Sequence, residues 1–117
     1  MNICINMNKT ALITGASSGI GKELALIHAG KGGNLVLIAR SAAPLNELKE
    51  FILSEYQVNV EVIVADLTAP NAPRKIFEEV HSKQIKIDYL INNAGVGGFG
   101  EFYKRNESDE LNMLRLN

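Results

Sequence analysis

Cysteine, histidine and tryptophan are scarce in this sequence, and their scarcity limits the chemistry that it can carry. The 117 residues include one cysteine, two histidines and no tryptophan. Cys4 has no second cysteine for an internal disulfide and no neighbours at metal-ligand spacing, so no metal site is predicted. His28 and His81 lie far apart in the sequence, and we interpret both as surface or boundary residues without a catalytic role.

Blocks of like charge and long apolar runs are also missing. Lysine and arginine (12) nearly balance aspartate and glutamate (13), which leaves a net charge of −1. We expect no nucleic-acid partner, because neutralising phosphates requires clustered cations. No apolar run is long enough to span a bilayer and no secretory leader pattern is present, so we expect no membrane partner and a cytoplasmic location. The hydrophobic content of 46% fits one soluble domain over residues 1–117.

The most informative feature that is present is a glycine-rich segment at 14–21, between a short apolar strand and an amphipathic helix. Gly15 permits a sharp exit from the strand, Gly19 leaves room where a pyrophosphate approaches the backbone, and Gly21 lets the helix pack closely on the sheet. Backbone N–H groups at the start of the helix then face the phosphates, with two serine hydroxyls as further donors. The segment therefore predicts a dinucleotide site, with an ordinary strand-to-helix turn as the alternative. The predicted phosphate-binding residues are Gly15, Ser17, Ser18, Gly19, Ile20 and Gly21.

The second strand, at 34–39, ends in Arg40, and this residue bears on the choice of cofactor. Units that prefer NAD usually place an acidic residue here, where it binds the ribose hydroxyls. A guanidinium can instead pair with a 2′-phosphate through charge-assisted hydrogen bonds. The sequence therefore predicts NADP(H) in preference to NAD(H). The alternative is that Arg40 is a solvated residue at a strand end.

Strands alternate with helices along the chain, which is the pattern of an α/β fold. Strands are predicted at 10–13, 34–39, 58–65 and 87–91. Right-handed crossovers between them produce a Rossmann-type doubly wound parallel sheet with the strand order 3-2-1-4 and flanking helices. The cofactor crevice is expected at the carboxyl ends of strands 1 and 4, where the winding reverses.

The helices are predicted from their apolar spacing and capping residues. In the first helix Ile20, Leu24 and Ile27 lie at i, i+4 and i+7, so we expect this face to be buried. Ser41 and Asn71 are predicted to begin the second and third helices. A fourth helix is predicted to begin near residue 108.

Three motifs at the ends of successive strands resemble those of the short-chain dehydrogenase/reductase family. They are Thr14-Gly15-x-x-x-Gly19-x-Gly21 after the first strand, Asp66-Leu67 after the third, and Asn92-Asn93-Ala94-Gly95 after the fourth. Their order along the chain is more specific than any one of them. The resemblance covers nearly the whole chain but only about the first half of a family member.

The resemblance implies roles for the residues of the second and third motifs. Asp66 and Leu67 are expected to contact the adenine, and a carboxylate can accept a hydrogen bond from its exocyclic amine. Asn93, Ala94 and Gly95 are expected to pass beside the adenosine ribose and to help hold the sheet together. The small Ala-Gly pair allows the backbone to approach a flat sugar.

The resemblance also extends to the last two residues, Leu116-Asn117. The family carries an asparagine of its catalytic tetrad in such a pair, on the helix after the fourth strand, so Asn117 is predicted to be catalytic. The tetrad's serine, tyrosine and lysine lie farther along in family members. No tyrosine of this sequence is followed by lysine four residues later.

By resemblance, the complete enzyme would interconvert a small-molecule carbonyl and an alcohol by hydride transfer. We expect this chain alone to bind NADP(H) without catalysis, because it lacks the proton donor. The alternative is a short non-catalytic module that senses NADP(H) or binds a partner. Family members commonly begin near Met7, so residues 1–7 are interpreted as an N-terminal extension or an alternative start. The fourth strand is expected to lack the family's fifth as a neighbour, and such an exposed edge favours a homo-oligomer or poor solubility of the isolated chain.

Overall fold

A parallel five-stranded sheet forms the centre of the protein, with the strand order β3-β2-β1-β4-β5. The computed structural model describes residues 9–93 and 114–116. The predicted α/β class and the order 3-2-1-4 are confirmed, and β5 is an addition to them. In chain order the elements are β1 (Thr10–Thr14), α1 (Gly19–Gly30), β2 (Asn34–Ala39), α2 (Ala42–Glu55), β3 (Val60–Val64), α3 (Ala72–Ser82), β4 (Tyr89–Asn92) and β5 (Leu114–Leu116).

The two central strands, β1 and β2, have apolar cores on both faces. Alternate residues of a strand point to opposite faces, so Leu12 and Val36 pack in the cluster that includes residues of α3. Ala11, Ile13 and Leu35 pack in the other cluster, with residues of α1 and α2. This double coverage explains why both strands are continuous apolar runs and not alternating ones.

No helix among the described residues is long and apolar enough to cross a membrane.

Helix α1 buries a different face from the one predicted. Its buried residues are Gly21, Ala25 and Ala29, whereas Ile20 is 69% exposed and Ile27 is 54% exposed. The expectation of a buried stripe is therefore wrong at positions 20 and 27, whereas Leu24 is half-buried and packs against the core. Small residues at i, i+4 and i+8 let the helix backbone come close to the sheet, and large side chains in those places would hold it away.

The pairing of β4 with β5 corrects two further predictions. Tyr89 lies opposite Leu114 and Ile91 lies opposite Leu116 in a parallel ladder. β4 therefore has a neighbour on each side, and the prediction that it is an exposed edge is wrong. Leu116 belongs to a strand, so the predicted fourth helix does not extend through 114–116. The predicted start of that helix near 108 and the leading segment 1–7 lie outside the described residues.

Helices α2 and α3 begin where the sequence predicts, but the predicted capping residues do not make capping hydrogen bonds. Ser41 and Asn71 occupy the N-cap positions of α2 and α3, as predicted, yet neither side chain makes a capping hydrogen bond. β3 is shorter than the predicted 58–65 and β4 begins two residues after the predicted 87. The Ser41 hydroxyl is therefore not used by the helix that it precedes.

Candidate functional site

A cleft of about 550 Å³ opens at the carboxyl ends of β1, β2 and β3, and six of the ten predicted site residues that the structure describes line it. In open parallel sheets ligands bind at this edge. A larger cavity of about 1050 Å³ lies at the opposite ends of the strands, where Thr10, Asn34 and Val60 line it, and none of the predicted site residues does. The cleft is lined by Gly15, Ser17, Ser18, Ile38, Ala39, Arg40, Ser41, Ala65, Asp66, Leu67 and Thr68.

The loop between β1 and α1 depends on two glycines for its backbone path. Gly15 has φ +63° and Gly19 has φ +59°, and both values lie in the left-handed region that favours glycine. The backbone N–H of Ala16 donates a 3.1 Å hydrogen bond to the carbonyl of Ile38, which ties the loop to the end of β2. A Cβ on Gly19 would meet no atom within 4 Å. Glycine is therefore favoured at this position because of its backbone conformation and not because neighbouring atoms crowd it.

Gly21 is needed for a different reason, which is close contact. A Cβ on Gly21 would lie 2.2 Å from the carbonyl oxygen of Gly15 and 2.7 Å from Nδ2 of Asn93. Asn93 Nδ2 itself donates a 3.2 Å hydrogen bond to that Gly15 oxygen. The glycine loop, the first turn of α1 and the end of β4 therefore meet at one point, which supports the predicted close packing of the helix at Gly21.

A second side-chain bond joins β1 to β4 beside this point. Thr14 and Asn92 are register partners, and Thr14 Oγ1 donates a 3.2 Å hydrogen bond to Asn92 Oδ1. The two asparagines that end β4 are thus both engaged with the β1 end of the site. Of the predicted residues that follow them, Ala94, Gly95 and Asn117 lie outside the described residues.

The start of α1 has the properties of an anion site. Ser18 occupies the N-cap position in an extended conformation, makes no side-chain capping bond and is exposed. No acidic residue lies in the first turn of α1. The N–H groups of this turn and the positive end of the helix dipole can therefore face an anion without a competing carboxylate. Ile20 lies in this turn, and its side chain points away from the core.

Asp66 and Arg40 provide opposite charges on the far side of the cleft. Asp66 Oδ1 accepts hydrogen bonds from Oγ1 of Thr68 at 2.6 Å and from the backbone N–H of Thr68 at 2.9 Å. These bonds, the side-chain one foremost, hold the pKa of the exposed Asp66 carboxyl below its ordinary value, and the positive charge of Arg40 adds to the effect. Asp66 is therefore a carboxylate at neutral pH, and it acts only as a hydrogen-bond acceptor.

Leu67 packs its side chain in the core of the protein. It is only 8% exposed and packs in the core cluster with Leu12 and Ile38. Its side chain therefore anchors the segment after β3, and its backbone is the part that is left to face a ligand. The N–H of Ala65 donates a 2.9 Å bond to the carbonyl of Ala39, which keeps the ends of β2 and β3 together.

Two polar residues of the cleft, Ser41 and Thr68, are not among the predicted site residues. Ser41 was expected to cap α2, but its hydroxyl makes no cap and the residue lines the cleft next to Arg40. Thr68 is the second residue after Asp66. An aspartate side chain commonly accepts a hydrogen bond from the backbone N–H two residues later, which forms a turn. That spacing is the sequence signal that could have identified Thr68.

Taken together, the cleft offers an anion-binding helix start, a guanidinium and a fixed carboxylate along one edge of the sheet. These groups suit a ligand with phosphates at its middle, a further anion, and an amine at one end. Among residues 9–93 no cluster of His, Cys, Asp or Glu could hold a metal ion. The described part of the site is therefore equipped for binding a nucleotide.

Comparison with known proteins agrees with this geometry. The family model described as short chain dehydrogenase matches residues 9–117. A very-long-chain 3-oxoacyl-CoA reductase of Eremothecium gossypii is 41% identical over 86 residues, which is 74% of this chain and 24% of the relative. A dehydrogenase/reductase SDR family protein 7-like of Dictyostelium discoideum is 42% identical over 101 residues, which is 83% of this chain and 32% of the relative.

A solved structure shows the same relationship in three dimensions. The L-sorbose reductase of Gluconobacter frateurii, in complex with NADPH and L-sorbose, matches with a TM-score of 0.71 and 36% identity. The match covers 76% of this chain and 34% of that reductase. The chain thus spans between 24% and 34% of the length of these three proteins.

Proposed function

Because the chain belongs to the short-chain dehydrogenase/reductase family, we propose that it forms the NADP(H)-binding part of an oxidoreductase that interconverts a carbonyl and an alcohol. One observation carries the proposal: the glycine loop as far as Ser18, the N-cap residue of α1, lines a single cleft together with Arg40 and Asp66. When bound, the nicotinamide would supply or accept the hydride. Two of the matched relatives are named as reductases of carbonyl compounds, which supports a small-molecule carbonyl or alcohol as the substrate.

The proposed cofactor contacts follow the cleft from one end to the other. The pyrophosphate lies against the loop and the first turn of α1, where the N–H groups point outward. We assign the adenine to the Asp66 carboxylate and the backbone of Leu67. Asn93 stabilises the loop through its hydrogen bond to the carbonyl oxygen of Gly15. The loop residues that we assign to the pyrophosphate are Gly15, Ser17, Ser18, Gly19, Ile20 and Gly21, and Ala94 and Gly95 are assigned to the ribose.

The preference for NADP(H) over NAD(H) rests on Arg40. This residue is exposed at the end of β2, lines the cleft and is followed by the uncapped hydroxyl of Ser41. A guanidinium and a hydroxyl can both bind a 2′-phosphate, whereas the acidic residue typical of NAD-binding units would repel it. The NADPH in the L-sorbose reductase complex shows that a relative of this fold binds that form of the cofactor.

A direct titration tests the cofactor proposal. We expect the purified chain to bind NADPH at least about tenfold more tightly than NADH, a difference of about 1.4 kcal/mol. The displacement of a fluorescent nucleotide, or calorimetry, measures both dissociation constants under one set of conditions. Equal affinities for the two cofactors would contradict the assignment of Arg40, and the absence of binding to either would contradict the proposed function.

We propose that catalysis requires residues of a longer chain in addition to these 117. We propose that Asn117 belongs to the proton relay of a complete enzyme, and that the 117 residues alone do not reduce ketones. None of the three tyrosines is followed by a lysine one helical turn later, and an unassisted tyrosine with a pKa near 10 is a poor acid at neutral pH. Oxidation of NADPH above background with any of a panel of ketones would contradict this proposal.

A homo-oligomer stays a prediction, although its argument from an exposed β4 no longer holds. The alternative of a non-catalytic sensor gains no support from the comparisons, since the matched relatives with named activities are enzymes.

A further inference from the structure

The two hydrogen bonds that Thr68 makes to Asp66 both end on the same oxygen. Oγ1 and the backbone N–H of Thr68 donate to Asp66 Oδ1, at 2.6 Å and 2.9 Å. Within the described residues, Oδ2 of Asp66 receives no hydrogen bond. An exposed aspartate ordinarily samples several side-chain rotamers, and two bonds to one oxygen restrict this one. The carboxylate is therefore held with one oxygen satisfied and the other available at the cleft.

A fixed acceptor distinguishes between purines that a mobile one would treat alike. Adenine carries an amine at its C6 position, which can donate to Oδ2, whereas hypoxanthine carries a carbonyl oxygen there and would face the carboxylate with an acceptor. Hypoxanthine does have a donor one ring position away, at N1. A carboxylate that could rotate would follow this N1–H, but one that is pinned through Oδ1 could not follow it without breaking the bonds to Thr68.

We propose that Thr68 is a positioning residue that fixes the Asp66 carboxylate and thereby sets the selectivity of the cleft for adenine. The proposal rests on the proposed function, because it assumes that the adenine end of NADP(H) lies against Asp66. Thr68 acts through Asp66 and has no part in the hydride transfer. Its contribution is preorganisation, since the acceptor is ordered before the ligand arrives.

Two substitutions separate the hydroxyl from the rest of the residue. Thr68→Val has nearly the same shape and keeps the backbone N–H, but it removes the hydroxyl that makes the shorter bond. Thr68→Ser keeps the hydroxyl and is the matched control. In each chain, NMR titration of the Asp66 carboxyl without cofactor measures its pKa. Displacement titrations then measure the dissociation constants of NADPH and of its hypoxanthine analogue, reduced nicotinamide hypoxanthine dinucleotide phosphate.

We expect the unmodified chain to bind NADPH about tenfold more tightly than the hypoxanthine analogue, the effect of one hydrogen bond to a charged group. Thr68→Ser should keep this ratio and the low pKa of Asp66. Thr68→Val should raise the pKa toward its ordinary value and reduce the ratio at least about threefold, because the carboxylate can turn toward N1–H. In an Asp66→Ala background, Thr68→Val should change the ratio no further, since its effect passes through the carboxylate.

The outcomes distinguish this proposal from the proposed function. An unchanged purine ratio in Thr68→Val, or a Thr68→Ser chain that behaves like Thr68→Val, would overturn the role of Thr68 while NADPH binding stands. NADPH binding without any discrimination by the unmodified chain would do the same. Failure of the unmodified chain to bind either dinucleotide would instead overturn the proposed function, and this inference with it. A Thr68→Val chain of lower stability but unchanged ratio would show a purely structural role.

Discussion

The side-chain amide of Asn93 donates a hydrogen bond to the carbonyl oxygen of Gly15, which lies 78 residues earlier in the chain. The same amide nitrogen is 2.7 Å from the point where a Cβ on Gly21 would lie. The end of β4 therefore determines how closely α1 can approach the loop that follows β1. The N–H groups that we assign to the pyrophosphate are positioned by this long-range contact as well as by the loop itself.

Gly21→Ala should destabilise the fold and weaken NADPH binding. Its methyl group would lie 2.2 Å from the Gly15 oxygen, so the helix or the loop must move, at a cost of about 2 kcal/mol. The matched control is Gly30→Ala in the same helix, where the methyl group would meet only Tyr56 Cε1, at 3.9 Å. Urea unfolding should show Gly30→Ala to be neutral or about 0.5 kcal/mol more stable. Similar losses in both variants would argue against the contact at Gly21.

Gly33→Ala should displace the ring of His28. A Cβ at position 33 would lie 2.0 Å from His28 Nε2, which is 3.0 Å from the carbonyl oxygen of Lys9, while the ring contacts Tyr89 edge-on. We expect a loss of about 1 kcal/mol in the free energy of unfolding, the usual value of one hydrogen bond. A double-mutant cycle with His28→Ala measures the coupling. If the cost of Gly33→Ala is the same with and without the imidazole, the displaced ring is not its cause.

Arg40→Ala should reduce the preference for NADPH over NADH. We expect about tenfold weaker binding of NADPH and little change for NADH, because only the former carries the 2′-phosphate. Arg40→Lys should fall between the two, since an ammonium is a point charge without the planar fork. Lys31→Ala is the control for loss of one exposed positive charge away from the cleft. An equal effect of Lys31→Ala would indicate a general charge effect instead of a specific contact.

Asp66 should make stability depend on pH at the acid end. Its folded pKa is held below the ordinary value of 3.8, by the Thr68 bonds first, so the folded state binds the proton less readily than the unfolded state. Its contribution is therefore present above pH 3.8 and is lost as the pH falls through the lowered folded pKa. Asp66→Asn should lower stability at neutral pH and flatten the decline below that range. Urea midpoints measured across the acid range provide the check.

The control for this pH dependence is Glu50→Gln, which removes an exposed carboxylate from α2. It should leave the steepness of the acid decline close to that of the unmodified chain. If Asp66→Asn leaves the decline unchanged as well, the bonds from Thr68 do not stabilise the ionised form in solution.

The alternation of strands and helices and the place of the glycine loop could be predicted, because each depends on residues that are neighbours in sequence. The order of four strands then followed from the right-handedness of the crossovers. Period-2 and 3.6 apolar patterns, and the glycines at 15, 19 and 21, are local signals of this kind. The buried face of α1 could not be predicted in the same way. Hydrophobicity ranks Ile20 and Ile27 above Ala25 and Ala29, but the close approach of the helix to the sheet selects the small residues.

The amino-acid sequence by itself determined the fold class, the place of the phosphate-binding loop and the positive charge at Arg40, since these follow from local spacing and residue chemistry. Only the tertiary structure decided the phase of α1, the pairing of β4 with β5 and the contact of Asn93 with Gly15. It also decided that Asp66 is pinned by Thr68 with one oxygen available at the cleft. These features depend on distances between backbone segments, and packing sets such distances only when residues far apart in sequence come together.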